Sequence, residues 1–157
     1  MKFNKKELLI ISALRQDSRL SLTKMSKQTK IPVSTLHDKI RDYTGTLIRK
    51  HTSIVDFSKL GYNTRALVFL KSEREQRQAL QEFLQDCKNV NNLAKINNGY
   101  DFLIELVFEH IKDMEDFLEI VEIKFKISTK ETYYIIEEIK RESFLSSTKA
   151  AELLAES

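Results

Sequence analysis

The chain has 157 residues, 41% of them hydrophobic and 31% charged, and its one cysteine, Cys87, excludes an internal disulfide and a zinc site built from several cysteines. No apolar run is long enough to span a bilayer and no signal-peptide core follows Met1, so the sequence predicts a cytoplasmic protein. The net charge of +3 hides an asymmetry, because residues 1–56 hold 12 Lys and Arg against 5 Asp and Glu, whereas the rest hold 14 against 18.

The basic first part has the pattern of three short helices. Apolar residues at helical spacing predict one helix over Lys5–Gln16, a second over Leu22–Thr29 and a third over residues 35–44. Ser21 and Ser34 stand where a side-chain oxygen caps the second and third helices. Two short helices joined by a tight turn are the pattern of a helix-turn-helix.

One side of the predicted third helix is apolar and the other is polar. Leu36 and Ile40 can anchor it, which leaves a polar set facing outward: Ser34, Thr35, His37, Asp38 and Arg41. In a helix-turn-helix this outer side enters a DNA groove, where an arginine can pair with guanine and an aspartate with cytosine. The other interpretation is a solvated face with an Asp38–Arg41 ion pair, in which Ser34 is only a cap.

Basic residues around this pattern are expected to attract phosphates without reading the base sequence. Those predicted to bind DNA in this way are Lys27, Lys30, Lys39 and Arg49. The positive balance of residues 1–56 supports this prediction, although a lysine-rich chain can also scatter its charge unevenly by chance.

An extended stretch follows the third helix. Residues 47–56 include Ile48, Ile54 and Val55, which favour a strand, and a strand at this place would make a winged variant of the helix-turn-helix. Gly61 marks the end of the connection to the second half of the chain.

The second half alternates strand-like and helical stretches in the order βαββαβ. This order predicts a four-stranded antiparallel sheet with two helices on one face. Asn97-Asn98-Gly99, between the second and third strands, is a strong hairpin signal. The strands are expected at residues 62–71, 89–96, 100–108 and 131–139, and the helices at residues 73–86 and 111–124.

The sequence therefore predicts an α+β fold with two domains. Residues 1–48 form the winged helix-turn-helix, 49–61 an inter-domain strand and hinge, and 62–142 a ferredoxin-like βαββαβ domain. Residues 143–157 form a C-terminal helix or tail, helical over 146–156. Two copies are expected to pack sheet against sheet through the third strand, burying Tyr100, Phe102, Ile104, Leu106 and Phe108.

The sequence gives little support to a catalytic or metal site. The three histidines, His37, His51 and His110, are dispersed, and no His, Cys and carboxylate group has ligand spacing. There is no glycine-rich phosphate loop and no nucleophile elbow. We therefore expect no enzyme activity, no metal and no cofactor.

A helix-turn-helix followed by a βαββαβ domain at this length resembles the Lrp/AsnC (feast/famine) family. The resemblance covers about residues 4–142 and is strongest over residues 20–43 and 47–61, which look like the family's helix-turn-helix and its hinge strand. The family usually has glycine and alanine where this chain has Lys30 and Ser26, and a left-handed Lys30 would cost about 1 kcal/mol relative to glycine. The resemblance implies a sequence-specific DNA-binding transcriptional regulator.

The resemblance also implies partners. Such regulators form dimers and often tetramers or octamers, so the expected target is double-stranded DNA with a near-palindromic operator. Gly99-Tyr100-Asp101 is similar to the family's glycine-x-aspartate turn, where small effectors, often amino acids, bind between dimers. Asp101 would then hold the effector's ammonium group, and the alternative is that Gly99 and Asp101 only shape and cap the hairpin.

Two other classes of protein stay open. Certain sirohaem decarboxylases look like this family in architecture and bind a tetrapyrrole through histidines and arginines, for which His51 and His110 would be the candidates here. In the third class the sheet domain assembles and the first domain binds no DNA, which the excess of basic residues disfavours.

Overall fold

A computed structural model describes residues 3–155, which form two compact units. The helical unit comprises the residues up to Ile54 together with those from Ile139 onward, and the sheet unit comprises Val55–Glu138. No helix in the described part of the chain is both long enough and apolar enough to cross a membrane. The elements, in chain order, are α1 (Lys5–Gln16), α2 (Leu22–Thr29), α3 (Val33–Tyr43), β1 (Thr64–Ser72), α4 (Arg77–Asp86), β2 (Val90–Lys95), β3 (Phe102–Phe108), α5 (Ile111–Phe125), β4 (Ile127–Tyr134) and α6 (Thr148–Ala155).

Side-chain caps define the starts of α1 and α2. Asn4 accepts a hydrogen bond from the Glu7 N–H at 3.0 Å, and the Glu7 carboxylate accepts one from the Asn4 N–H at 3.0 Å, which makes a reciprocal capping box. Ser21 caps α2 by accepting from the Lys24 N–H at 3.3 Å, as the sequence predicts. Lys30 then ends α2 in the left-handed conformation, with φ at 59°.

The start of α3 differs from the prediction. The helix begins at Val33 rather than at residue 35, with Pro32 in the N-cap position and no side-chain cap. The extended backbone of Pro32 (φ −57°, ψ 144°) directs its carbonyl into the helix, where it accepts from the Leu36 N–H at 3.0 Å. Ser34 therefore lies inside the first turn, and the prediction that it caps the helix is wrong.

One apolar cluster holds α1, α2 and α3 together. Ile10 of α1, Met25 of α2 and Leu36 of α3 are buried, and Ile31 fills the turn between α2 and α3. Tyr43 joins the cluster at the end of α3. Because these side chains occupy one side of α3, the polar residues of the helix are left on the outer side.

The C-terminal residues pack on α1 within the helical unit. Ala151 of α6 is fully buried, and α6 lies against α1. The Arg15 side chain donates to the Phe144 carbonyl at 2.6 Å and to the Glu142 carboxylate at 2.8 Å, which holds the segment leading into α6. The helix predicted at the C-terminus is therefore present as α6, and its last predicted residue lies outside the described residues.

The strand predicted over residues 47–56 is absent. Ile48 makes only an isolated bridge with Thr44, and residues 49–56 form neither helix nor strand. Every residue from 49 to 56 is exposed, and no strand of the described residues pairs with this stretch. A strand needs a neighbouring strand to pair with its N–H and C=O groups, so β propensity alone does not create one here. The prediction of a wing after the third helix is therefore wrong.

The sheet unit has the βαββαβ order predicted from the sequence. Its four strands lie in the order β2-β3-β1-β4, each antiparallel to its neighbour, as in a ferredoxin-like sheet. α4 and α5 pack on one face, where the buried core includes Ala66, Val68, Leu70, Leu80, Leu84, Ile104, Leu106, Met114 and Leu118. The opposite face carries no helix from the described residues of this unit, and we call it the open face.

The open face is formed by alternate residues of the strands: Arg65, Leu67, Phe69, Lys71, Leu103, Glu105, Val107, Glu131 and Tyr133. The sequence prediction chose the wrong face for contact between copies, because Phe102, Ile104, Leu106 and Phe108 belong to the core beneath α4 and α5. β3 is apolar on both faces, so the alternation of its side chains does not show which face the helices cover. An error of one residue in assigning side chains to faces exchanges the two faces. Tyr100, which precedes β3, does place its ring against Phe69.

β4 begins earlier than predicted. Lys126 ends α5 in the left-handed conformation (φ 48°), and Ile127 pairs directly with Ser72 of β1. The strand therefore covers Ile127–Tyr134 and not residues 131–139. Residues 136–140, which follow shortly after the strand, are exposed, and Ile136 is 99% exposed.

We expect Arg15→Ala to lower the free energy of unfolding of the helical unit by about 1 kcal/mol, because a charged donor to a carbonyl and a carboxylate is lost from a partly exposed position. Hydrogen exchange of the α1 and α6 amides at increasing urea concentration measures the change. Arg19→Ala is the control, since its exposed side chain has no such partner in the described residues. Equal losses in the two variants would show that Arg15 does not hold the C-terminal segment.

Candidate nucleic-acid interface and effector site

The outer side of α3 presents the polar residues that the sequence singled out. Ser34, Thr35, His37, Asp38 and Arg41 are all exposed, whereas Leu36 and Tyr43 are buried. The first hydrogen bond within the helix is made by the Leu36 N–H, so the N–H groups of the three preceding residues remain open at its N-terminus. Open N–H groups of this kind bind phosphate oxygens.

Arg41 lies between two carboxylates. Its guanidinium is 3.5 Å from Asp38 and 3.6 Å from Asp42, and its side chain is 66% exposed. His37 lies 3.5 Å from the same Asp38 carboxylate. Such long, exposed ion pairs contribute little stability, so the Arg41 side chain can exchange them for a stronger acceptor at small cost.

The basic residues around α3 fall into two groups. Lys27, Lys30 and Arg49 are exposed. Lys39 instead forms an ion pair with Glu7 of α1 at 2.7 Å, and this hydrogen bond raises the pKa of Lys39 and lowers that of Glu7. The charge of Lys39 is therefore directed at α1, while the other three stay available to a polyanion.

The turn between β2 and β3 is a tight hairpin. Asn98 and Gly99 both have positive φ, at 61° and 92°, and the Ile96 N–H donates to the Asp101 carbonyl at 3.1 Å. Two successive positive φ values are typical of a type I′ turn. A Cβ atom at Gly99 would meet nothing within 4 Å, so glycine is favoured here by its backbone conformation and not by lack of space.

Asp101 is an internal anchor of the sheet unit. Its carboxylate accepts from the Ser72 N–H at 3.0 Å and pairs with the Arg77 guanidinium at 3.0 Å, and its side chain is only 13% exposed. Its own N–H donates to the Leu70 carbonyl at 2.9 Å. Asp101 thus ties the hairpin to the end of β1 and the start of α4.

Next to the hairpin, on the open face, two tyrosines and a glutamate form a cluster that sequence reasoning missed except for Tyr100. The Tyr100 and Tyr133 hydroxyls both donate to the Glu131 carboxylate, the second at 2.6 Å. The hydrogen bond to Glu131 raises the pKa of Tyr100 to about 12, and the two tyrosines together lower the pKa of Glu131. Only the register between distant strands brings these residues together, so no local sequence signal could have identified them.

A second polar cluster, also missed, lies further along the open face. Glu105 is 6% exposed and accepts hydrogen bonds from Arg65 at 2.6 Å, from Asn91 at 2.8 Å and from Asn92. A bulge between Val90 and Asn92 brings both amides to one carboxylate. Burial raises the pKa of Glu105, but the three hydrogen bonds outweigh it and leave the pKa below its ordinary value.

One groove lies away from the hairpin. It has a volume of about 620 Å³ and lies at the far end of β3, between Val107, Lys88 and the 3-10 turn Phe57–Leu60. No group of three or more His, Cys, Asp or Glu side chains in the described residues could hold a metal ion. The hairpin with its tyrosine–glutamate cluster and the outer side of α3 are therefore the two candidate sites.

Comparison with known sequences identifies the sheet unit. The model of the Lrp/AsnC ligand binding domain matches residues 65–145, slightly more than half of the chain. The chain is 25% identical over 113 residues to the HTH-type transcriptional regulator FL11 of Pyrococcus horikoshii, covering 71% of this chain and 75% of FL11. It is 24% identical over 119 residues to the HTH-type transcriptional regulator LrpC of Bacillus subtilis, covering 75% of this chain and 83% of LrpC.

Solved structures show the same fold. The structure of B. subtilis LrpC has a TM-score of 0.79 at 23% identity, over 89% of this chain and 99% of that chain. A transcriptional regulator of Neisseria meningitidis in complex with L-methionine has a TM-score of 0.81 at 12% identity, over 89% of this chain and 94% of that chain. The likeness thus extends beyond the matched domain to most of the chain.

We expect Glu105→Gln to lower the free energy of unfolding of the sheet unit by about 2 kcal/mol at neutral pH, because Arg65 loses a buried charged partner. The pKa of Glu105 is lower in the folded state, so its contribution is complete above the unfolded value near 4.5 and is lost as the pH falls through the folded value. Urea unfolding monitored by exchange of the β3 amides, repeated from neutral to acid pH, measures both effects.

The difference in free energy of unfolding between the original protein and Glu105→Gln should therefore become smaller at acid pH. Glu109→Gln, at an exposed carboxylate just beyond β3, is the control and should leave stability unchanged. A constant difference at every pH would contradict the assignment of a charged Glu105.

Proposed function

The chain belongs to the Lrp/AsnC family of transcriptional regulators, and we propose that it acts as one by placing α3 in the major groove of DNA. The observation that carries this proposal is the outer side of α3, which is exposed, polar and flanked by exposed basic side chains. α2 and α3 are joined by a short turn through Lys30, in the manner of a helix-turn-helix. The basic excess of residues 1–56 supports contact with phosphates.

Within this proposal the residues of α3 have different roles. The open N–H groups of Ser34 and Thr35 hold a phosphate at the helix N-terminus. Arg41 exchanges its long ion pairs for the O6 and N7 acceptors of a guanine, and His37 reaches a base edge or a phosphate. Asp38 either accepts from a cytosine or keeps Arg41 oriented.

Sequence-independent attraction comes from Lys27, Lys30 and Arg49, which are exposed. Lys39 is left out of the proposed interface because Glu7 already neutralises it. The proposal also needs no wing, since residues 49–56 form no strand in this chain.

We further propose that two copies associate through the open face of the sheet. Leu67 and Leu103 place half-buried apolar side chains near its centre, where a second sheet can cover them. A two-fold dimer presents two copies of α3, so the operator should be near-palindromic, with half-sites a whole number of helical turns apart. Exposed Ile120 and Ile123 on α5 offer a surface for tetramers or octamers.

The sheet unit is proposed to receive a small effector at the hairpin. Two observations support this: the match to a ligand binding domain, and the L-methionine bound to the Neisseria relative. An amino acid is therefore the proposed effector class, and Gly99 and Tyr100 the part of the hairpin that meets it. Binding would act by favouring one assembly over another.

The named relatives are transcriptional regulators, which confirms the expectation that the chain is not an enzyme. The sirohaem decarboxylase alternative has no support from them. A regulator of this kind meets chromosomal DNA, so we propose a cytoplasmic location.

Arg41→Ala should weaken binding to a selected operator by about 1–3 kcal/mol and relax the base preference at one position, because a bidentate contact to guanine is lost. Operator selection followed by salt-titrated binding to operator and random DNA measures both effects. Lys27→Ala is the matched control. It should weaken binding to operator and to random DNA about equally, and it should reduce the dependence of binding on salt concentration. An equal loss on operator and random DNA for Arg41→Ala would rule out base readout.

Leu67→Lys should convert the dimer into monomers, because a charge enters the apolar centre of the open face while the core beneath α4 and α5 is untouched. Sedimentation velocity measures the change, and circular dichroism checks the fold. Ile123→Lys, on the exposed side of α5, should keep the dimer. A dimeric Leu67→Lys would refute the proposed interface.

A further inference from the structure

Two cations of α3 are held in different ways. Arg41 has only long ion pairs, at 3.5 Å to Asp38 and 3.6 Å to Asp42, and all three side chains are exposed. Lys39 instead pairs with Glu7 of α1 at a nitrogen–oxygen distance of 2.7 Å, and the Glu7 side chain is only 16% exposed. A short pair with a part-buried carboxylate restrains a lysine more strongly than long, exposed pairs restrain an arginine.

The Glu7 carboxylate is oriented by α1 itself. Its Oε2 atom accepts a hydrogen bond from the Asn4 N–H at 3.0 Å, as part of the capping box that begins α1. This leaves the Oε1 atom for α3, where it accepts a hydrogen bond from the Lys39 ammonium group. The centre of the Tyr43 ring lies 5.9 Å from the same ammonium nitrogen and adds a cation–π attraction. The start of α1 and the end of α3 together hold Lys39 in place.

A released Lys39 would lie beside the phosphate that the N-terminus of α3 is proposed to hold. Lys39 comes four residues after Thr35, so it stands about one turn, or about 6 Å, further along the same side of the helix. Long side chains of a helix lean towards its N-terminus, which directs Lys39 to the open N–H groups of Ser34 and Thr35. A lysine at this place would add one contact that is independent of base sequence.

We propose that Glu7 is a positioning residue for DNA binding, which withholds Lys39 from the phosphates and so limits the part of the affinity that does not depend on base sequence. This inference rests on the proposed function, because it requires that α3 meets DNA. It makes a residue of α1 a determinant of DNA affinity without any contact between α1 and DNA. Arg41 stays available to bases while Lys39 is committed to α1.

The experiment compares four versions of the full chain: the original protein, Glu7→Gln, Lys39→Gln and the double variant. Glutamine at position 7 keeps an oxygen for the Asn4 N–H, so the capping box is retained while the charge is lost. Salt-titrated binding to a selected operator and to random DNA is measured for each protein. Circular dichroism during thermal unfolding verifies that each variant folds.

Glu7→Gln should strengthen binding to operator and to random DNA about equally, by roughly three- to tenfold at low salt, because the released Lys39 adds one phosphate contact. The slope of log affinity against log salt concentration should steepen by about 0.9. Lys39→Gln should leave affinity and slope unchanged, and the double variant should bind like the original protein. Both single variants break the same ion pair, so a purely structural role would change DNA binding in the same way in both.

Glu152→Gln is the matched control. It removes one negative charge from the helical unit and releases Lys5 of α1 from an ion pair of 3.4 Å. Lys5 precedes Glu7 by two residues, so it lies on the opposite side of α1 from the ion pair with Lys39. This variant should leave the salt slope unchanged, which separates the release of Lys39 from a general gain of positive charge.

Three results would overturn the inference: Glu7→Gln leaves the salt slope unchanged, Lys39→Gln alone weakens DNA binding, or the double variant keeps the gain of Glu7→Gln. The second result would mean that Lys39 already contacts DNA in the original protein, and the third that another cation supplies the gain. Failure of the original protein to bind any DNA refutes the proposed function. Intact operator binding with equal slopes for the original protein and Glu7→Gln refutes only the role of Glu7.

Discussion

Arg65 lies in β1, between β3 and β4, and its guanidinium joins the beginning and the end of the sheet unit. It donates to Glu105 at 2.6 Å and to Glu138 at 2.7 Å, and it lies 5.8 Å from the centre of the Phe57 ring. Phe57 is close to the point where the chain enters the unit, and Glu138 is where it leaves. The Arg65 side chain is only 18% exposed, and a charge so far removed from water needs such partners. The one guanidinium therefore stabilises β1 together with the segments where the chain enters and leaves the sheet unit.

The register around β1 also explains why the open face has two unlike ends. At one end the charges of Arg65 and Glu105 neutralise each other, and two amides satisfy the remaining oxygen of the carboxylate. At the other end, among residues 3–155, Glu131 receives hydrogen bonds from two tyrosine hydroxyls and forms no ion pair. The first arrangement neutralises a buried charge, whereas the second orients an exposed one, although both use a glutamate on the same face.

The features that the sequence predicts well are determined within a few residues. The hairpin follows from the positive φ values that Asn98 and Gly99 tolerate, and the outer side of α3 follows from the spacing of Leu36 and Ile40. The order of strands and helices follows from periodicity in the same way. The features that failed depend on distant partners, since residues 49–56 lack a neighbouring strand and β3 is apolar on both faces. The position of Glu131 beside Tyr100 likewise requires the register of β1 with β4, which no local pattern encodes.

Contacts between residues far apart in the sequence also fix the two chain segments that connect the units. The chain leaves the helical unit after Ile54 and returns to it at Ile139, so two covalent connections join the units. The return is secured inside the helical unit by Arg15, which holds the segment before α6. In the sheet unit both connections start beside Arg65. β1 therefore contacts both connections through a single side chain, that of Arg65.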